Sequence, residues 1–521
     1  MEPRVPDRSL SSLTAPGDVV AQPVAQPVAL TGSESTRLIV ALVAAGLSLG
    51  FGTGAFSGIT IGIGRLFHAS PGQLNWAISV ALLSTVVCSP IAGRLGDVYG
   101  HRRMLVICVG GTALGGVLAA VAPSFGVLLL GRVLQGLIGG VLGLGPAIVR
   151  DRVGIRRGHT IIAVLAGAAS VGLVAGLLCA AGFGGHHDGT RIVLWTSAAV
   201  FAAAAALCLL TPDSVSRAAI RVDWLGAAVL AAGLACVSLG LRQAPISGWS
   251  DAATVAYLAV GAAVLIAWVP LQARTRQPFI DVRRVTSRGQ LPSYAISFIF
   301  GVGAFGAQTA AITFMGSPAK VLHYGLSMSI ADIASWLVPC AVASAVAAIL
   351  TARLAAVVGH RAAFVLGGVL LTAGFALMIV WHQATAEFVV ALIVQYAGLG
   401  IGLAMVPVVL SQLAGPGERG VVSSLGESLR GLGGGLATAV FATLEGSLVI
   451  THTAIPTEDA YLWVWGICGL VSAASIPLAL IVPRAGAAVS DTLTGQPGTL
   501  SNPAALAAWV RETARAALEP A

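Results

Sequence analysis

Four polar side chains stand inside long apolar stretches of this sequence, and they are the first candidates for chemistry. Arg132 and Gln135 lie in Leu-Gly-Arg-Val-Leu-Gln-Gly, and Glu427 and Arg430 lie in Gly-Glu-Ser-Leu-Arg-Gly. The i to i+3 spacing places the members of each pair on one face of a helix. A carboxylate beside an arginine in an apolar stretch could take up and release a proton, so Glu427 is a candidate for that role.

Plainer explanations exist for both pairs. An arginine at the centre of a membrane helix costs on the order of 3 kcal/mol, so Arg132 should face protein or a wet cavity. If it lay near a helix end, its guanidinium could extend to the membrane surface instead. Glu427 and Arg430 could equally form an ordinary ion pair near the cytoplasmic surface.

Membrane-spanning helices are the elements that must position these residues. The chain has 521 residues, of which 56% are hydrophobic and 10% are charged, whereas soluble proteins have about 25% charged residues. At about 20 residues per crossing, the apolar runs predict about fourteen spans. These lie near residues 38–64, 74–93, 103–122, 126–148, 159–182, 191–211, 224–242, 252–272, 291–315, 329–351, 362–381, 386–410, 426–448 and 460–482.

The net charge of +8 comes mainly from arginines in short loops between the apolar runs. Such loops stay on the cytoplasmic side, so the pattern indicates membrane topology and argues against nucleic-acid binding. The predicted external loops hold only Arg65, Arg191, Arg242 and Lys320. This alternation places both termini in the cytoplasm.

Other polar residues have structural explanations. Asp223, Asp251 and Asp332 lie at span ends, where helix caps are favoured over coupling sites. The seven cysteines lie in apolar runs without Cys-x-x-Cys spacing, which indicates packing. The pair His186-His187 is too small a cluster for a metal site. The sequence therefore predicts no metal and no cofactor.

The segment Gly93 to Arg103, Gly-Arg-Leu-Gly-Asp-Val-Tyr-Gly-His-Arg-Arg, is predicted as a basic cytoplasmic loop between the second and third spans. Asp97 in this loop could pair with arginines or with the positive N-terminus of a neighbouring helix. Such a contact would be a latch that breaks and re-forms. The alternative is an ordinary basic loop that only fixes topology.

This segment resembles the signature between the second and third helices of the major facilitator superfamily. Val98 and His101 depart from it, since they stand where that family has an arginine and a basic residue. The matching positions are Gly93, Leu95, Asp97, Gly100, Arg102 and Arg103, and the resemblance marks all of these except Leu95 as the conformational latch.

Two further motifs resemble the fourteen-helix drug:proton antiporters of that superfamily. Arg132, Gln135 and Gly136 match a fourth-helix pattern whose arginine is associated with proton coupling. Arg430, followed by glycines, is similar to a pattern of the same group, in which Glu427 is not a fixed residue. The part of the first span from Gly50 to Gly64 lacks the aspartate common in the first helix of these antiporters, so a first-helix carboxylate for cationic drugs is not implied.

Small residues mark the predicted helix contacts. Gly167, Gly172 and Gly176 lie about one turn apart in the fifth span, and Gly136 follows the fourth-span motif. This spacing is typical of close helix packing. Exporters of the superfamily usually have Gly-Pro-x-x-Gly-Gly in the fifth span, where this chain has Leu173 and Leu177 in place of the proline and the final glycine.

An internal repeat predicts the domain organisation. Residues 352–364 repeat the Arg, Leu, Val, Gly, His and Arg positions of the Gly93 segment, with Ala356 in place of Asp97. Parallel repeats of this kind build two-bundle transporters. We therefore predict an all-α integral membrane protein with the major facilitator fold. Its predicted parts are a disordered cytoplasmic tail (1–36), a six-helix bundle (37–212), an inserted helix pair with linkers (213–288), a second six-helix bundle (289–483) and a cytoplasmic tail (484–521).

The predicted function is secondary transport by alternating access in the plasma membrane. The sequence contains no phosphate-binding motif, so an ion gradient, most simply of protons, should supply the energy. A cavity with few charges suits amphipathic drugs or secondary metabolites, exported by a monomer. The alternatives are a facilitator or importer of a small metabolite without proton antiport, and a membrane sensor. A multispan enzyme should show a catalytic constellation, and the sequence contains none.

Overall fold

The computed structural model describes residues 32–69, 71–153, 155–183, 188–211, 222–287, 289–414, 418–450 and 456–482. Most of both predicted tails, the histidine pair at 186–187 and the loop arginines between 212 and 221 lie outside these residues. The predicted tail 1–36 is wrong at its end, because a helix already begins at Gly32. Glu34 lies in the first turn of this helix, where a carboxylate stabilises the N-terminus.

Thirteen of the described helices are long and apolar enough to cross a membrane, and the helix Arg419–Ser447 is of similar length. In chain order they are α1 (Ser33–Gly58), α2 (Trp76–Tyr99), α3 (His101–Val121), α4 (Phe125–Arg152), α5 (Gly158–Phe183), α6 (Gly189–Cys208), α7 (Trp224–Ser247), α8 (Ala252–Arg274), α9 (Leu291–Gly316), α10 (Ala331–Ala355), α11 (Val357–Val380), α12 (Thr385–Leu413), α13 (Arg419–Ser447) and α14 (Glu458–Ile481). We refer to α1–α6 as the N-terminal set and to α9–α14 as the C-terminal set. This all-helical architecture confirms the predicted fold class.

The turn between α2 and α3 differs from the predicted basic loop. Helix α2 continues to Tyr99, and Gly100 alone joins it to α3 with a φ of 104°. The corresponding residue of the repeat, Gly359, has a φ of 85° at a kink in the helical run Ile330–Val380, which contains α10 and α11. Only glycine adopts such angles without strain. The polar residues of the segment therefore lie on helix ends, where Arg94, Asp97 and His101 are buried and Arg103 is exposed. The two repeat copies turn in the same way.

Helix α13 begins at Arg419, earlier than the predicted position near residue 426. Glycines and the charged pair lower the hydropathy of this segment, which obscures its helical start in the sequence. Its first amides donate hydrogen bonds to a carboxylate of another helix, described below, and so do not need water. The predicted helix caps are present. Asp223 and Asp251 are the N-cap residues of α7 and α8, and their side chains accept hydrogen bonds from backbone amides. Asp332 forms a capping box with Ser329 at the start of α10.

Close helix crossings occur at the predicted small residues. A Cβ atom on Gly172 would overlap the carbonyl of Leu47, and one on Gly176 would overlap the carbonyl of Phe51, both in α1. Gly136 lies against Ser84 of α2 in the same way. Gly167 faces Ala345 of α10, so this crossing joins the N-terminal set to the C-terminal set.

The inserted helices α7 and α8 pack on each other, and α7 also packs against α2 and α13. The guanidinium of Arg242 lies 3.5 Å from the ring centroid of Trp76, next to the start of α2. Trp249 donates a hydrogen bond from Nε1 to Thr443 Oγ1 of α13 at 2.9 Å. The inserted pair therefore contacts both helix sets.

Candidate transport site

A cavity of about 220 Å³ lies between the two helix sets, at the centre of the bundle. Its wall is mainly apolar and includes Phe56, Phe201 and Phe305. The two polar pairs singled out in the sequence both reach this wall. They come from α4 and α13, nearly 300 residues apart in the chain; the sequence predicts each pair but not their meeting. The ionisable groups on the described wall, tyrosine aside, are Arg132, Glu427 and Arg430.

Arg132 is held by neutral partners. Its Nε donates to the carbonyl of Ala77 at 2.9 Å, and its Nη1 donates to Gln135 Oε1 at 2.5 Å. Its guanidinium lies 3.8 Å from the ring centroid of Phe56. The residue is only 8% exposed, so it does not extend to the membrane surface. Its charge has no carboxylate within ion-pair distance among the described residues.

Glu427 and Arg430 form a close ion pair on the cavity wall. Arg430 Nη2 lies 2.6 Å from Glu427 Oε2, and Arg430 Nε also donates to this carboxylate. The side chains are 11% and 16% exposed, so the alternative of an ordinary surface pair is wrong. The guanidinium of Arg430 also lies 5.3 Å from the ring centroid of Phe305.

A π-helical turn at Val302–Gly306 of α9 faces this pair. It places Ala304 and Phe305 on the cavity wall. Single π turns within α-helices are frequent at functional sites. The glycine-rich sequence from Gly301 to Gly306 gives no signal for this turn, because no sequence rule distinguishes a π turn from a packed helix.

Asp97 ties the two helix sets together at one end of the cavity. Its Oδ1 accepts a hydrogen bond from the amide of Gly420 at 2.8 Å, and its Oδ2 accepts one from the amide of Val421 at 3.0 Å. The structure thus shows the helix N-terminus as the partner of Asp97. Arg102 points elsewhere and donates to the carbonyl of Leu209 at 2.8 Å.

His101 extends this contact, although the sequence marked it only as a departure from the family pattern. Its Nε2 lies 2.9 Å from Asp97 Oδ1, and its Nδ1 lies 2.8 Å from Asp151 Oδ2. Asp151 Oδ1 in turn accepts a hydrogen bond from Arg419 Nη1 at 3.0 Å. The i to i+4 spacing of Asp97 and His101 could have indicated their contact from the sequence. The contact between His101 and Asp151 could not be found in this way, because the two residues are distant in the sequence.

Further contacts at the same end join α5 to the C-terminal set. Gln412 Nε2 lies 2.7 Å from His159 Nε2 and 3.4 Å from His360 Nε2. Farther along α5, on the cavity wall, the hydroxyl oxygen of Ser170 lies 3.0 Å from that of Ser344 of α10.

Thr53 and Ser57, on the cavity wall toward the opposite end of α1, are exposed. The structure is therefore a state closed at the Asp97 end, with the cavity wall exposed toward the opposite end.

Known proteins resemble the chain over most of its length. A family model described as Major Facilitator Superfamily matches residues 42–438. The tetracenomycin C resistance and export protein of Streptomyces glaucescens is 28% identical over 404 residues, which cover 73% of this chain and 70% of that protein. The puromycin resistance protein of Streptomyces alboniger is 26% identical over 384 residues, covering 71% of this chain and 74% of that protein.

Solved structures share the fold at low sequence identity. The human organic anion transporter MFSD10 superposes with a TM-score of 0.63 and 17% identity, covering 86% of this chain and 100% of that one. The proton:xylose symporter XylE has a TM-score of 0.60 and 14% identity, covering 87% of this chain and 97% of that one. The family match confirms the resemblance stated from the motifs. The chain belongs to the Major Facilitator Superfamily.

Proposed function

We propose that this membrane transporter exports amphipathic organic compounds in exchange for protons. The observation that carries the proposal is the central cavity, whose apolar wall holds the Glu427–Arg430 ion pair and the unpaired charge of Arg132. Family membership makes the protein a transporter of small molecules and not an enzyme. The resistance and export functions in the names of its relatives agree with efflux.

The proposed cycle uses the predicted two-bundle organisation, with residues 37–212 rocking against residues 289–483 and the inserted pair at 213–288 between them. In the state described, the Asp97 contacts close one end of the cavity. Protonation of Glu427 would weaken its ion pair with Arg430 and change the electrostatics of the wall. A ligand or proton that binds one state better shifts the balance toward that state.

The proposed location is the plasma membrane, and the proposed working unit is a monomer. Both termini and the Asp97 end of the cavity are proposed to lie on the cytoplasmic side. The arginine distribution between the spans supports this orientation. Protease accessibility of tags at the two termini, in right-side-out and inverted vesicles, tests it.

The test of function is transport by the purified chain in liposomes that contain a pH-sensitive dye. An imposed proton gradient should drive organic compounds from a panel of anions, neutral drugs and lipophilic cations. The expected result is substrate-dependent proton flux that falls at least about tenfold in Glu427→Gln, which removes the one described carboxylate of the wall. Glu387→Gln, a change at an exposed carboxylate of α12, is the matched control.

Transport without proton movement would contradict antiport and would support facilitated transport, which is the second candidate function. The leucines at 173 and 177 of α5, where exporters of the superfamily usually have proline and glycine, favour that alternative. Leu173 itself lies on the cavity wall.

A further inference from the structure

We infer that the cavity selects acidic aromatic compounds, such as aryl carboxylates, sulfonates or acidic phenols, over lipophilic cations of the same size. This inference rests on the proposed function, because it takes the cavity as the transport site. It adds the chemical class of the substrate.

The charge balance of the wall is the first reason. Two guanidinium groups and one carboxylate reach the described wall, which leaves a net positive charge. The carboxylate of Glu427 is already engaged by Nε and Nη2 of Arg430. A cationic ligand would therefore have to share a carboxylate that Arg430 already engages and would be repelled by two guanidinium groups, whereas an anion would not have to disturb this pair.

The position of the unpaired charge is the second reason. Nε and Nη1 of Arg132 bind the protein, and Nη2 has no hydrogen-bond partner among the described residues. A guanidinium binds carboxylates and sulfonates well, because its N–H groups form charge-assisted hydrogen bonds. The low dielectric of an apolar wall strengthens such an interaction.

The shape of the wall is the third reason. Phe56 lies directly beside the guanidinium of Arg132, at 3.8 Å, and Phe201 and Phe305 line the same space. An apolar cavity of about 150 Å³ holds benzene, so about 220 Å³ suits a fused pair of rings. An aromatic ring that carries one acidic group would fill the cavity and place its charge near Arg132.

The test is binding of three naphthalene probes to the purified full-length protein, followed by naphthalene fluorescence. The probes are 2-naphthalenesulfonate, 2-naphthalenemethanol and 2-naphthyltrimethylammonium, which share the ring and differ in charge. We expect the anion to bind at least about tenfold more tightly than the cation.

Substitutions at Arg132 and Glu427 should change the preference for the anionic probe over the cationic probe in opposite directions. Arg132→Gln should reduce the preference for the anion about tenfold, and Arg132→Lys should keep most of it. Glu427→Gln, which frees Arg430, should increase the preference. A merely structural role would weaken all three probes together in each variant. Arg353→Gln, at an exposed arginine outside the cavity, should change nothing.

The outcomes separate the two proposals. Tighter binding of the cation, or a preference that Arg132→Gln and Glu427→Gln leave unchanged, would overturn the inference and leave efflux standing. Failure of all three probes to bind above the level of empty detergent micelles would also overturn the inference, since the cavity would then accept no aromatic compound of this size; substrate-dependent proton flux in liposomes would still test efflux separately.

Discussion

Asp97 joins two distant parts of the chain through a single carboxylate. Both of its oxygens accept amide hydrogen bonds from the start of α13, and the residue is 1% exposed. Charge-assisted hydrogen bonds at a helix N-terminus also interact favourably with the helix dipole. His101 adds a third partner at 2.9 Å, so the loss of the Asp97 charge should affect the whole contact.

Asp97→Asn tests this residue. The neutral amide accepts hydrogen bonds more weakly, so the Asp97 end should open more often. Hydrogen exchange of the amides of Gly420 and Val421 should speed up about tenfold, the equivalent of about 1.4 kcal/mol. Asp332→Asn, a change at a capping aspartate at the start of α10, should leave these two amides unaffected. Unchanged exchange in Asp97→Asn would show that this carboxylate does not hold the end closed.

Single glycines set the connections between elements. Gly100 and Gly359 each replace a loop by one residue of positive φ, which aligns the polar ends of two successive helices against their neighbours. Two such turns at equivalent repeat positions support the proposed two-bundle organisation.

Gly359→Ala isolates the backbone effect, because no atom lies within 4 Å of the Cβ that it would add. The backbone of Gly359 has a φ of 85° and a ψ of 164°, a region that is essentially restricted to glycine and costs another residue roughly 1–3 kcal/mol. The unfolding temperature in detergent should therefore fall by a few degrees. Gly110→Ala also places its Cβ in open space, but within the regular helix α3, where alanine is favoured. That control should be neutral or stabilising; equal effects of the two changes would contradict the backbone explanation.

Helix number and the local pairs were predictable from the sequence, because hydropathy and i to i+3 spacing are local signals. Arg132 with Gln135 and Glu427 with Arg430 are such pairs. The sequence offered a helix N-terminus as one of two possible partners of Asp97. It could not identify residues 420 and 421, since main-chain amides carry no side-chain signature. The end of α2 was also misplaced, because charged residues that suggest a loop are buried here against other helices.

The whole molecule closes one end of its cavity through contacts between α2, α4 and α5 on one side and α10, α12 and α13 on the other. Ser170 of α5 and Ser344 of α10 face each other across this boundary, 3.0 Å apart. If the two helix sets rock during transport, this distance must increase in the alternate state.

A disulfide across that boundary tests the motion. In Ser170→Cys with Ser344→Cys, oxidation should lock the Asp97 end closed and reduce transport in liposomes at least about tenfold, and a reductant should restore it. The two single variants, oxidised in parallel, are the controls for the seven native cysteines, which are all free. Full transport by the cross-linked protein would exclude separation of α5 and α10 in the cycle.

Because the partners of Asp97 are main-chain amides, the two sides of this contact tolerate substitution to different degrees. On the α2 side a carboxylate is needed for charge-assisted hydrogen bonds, whereas any residue except proline supplies the donating amide at position 421. Mutations can therefore accumulate at that position without loss of the bond, and no compensating change in α2 is needed. Searches for pairs of positions that change together across homologues should miss this contact, although it joins the two sets of helices.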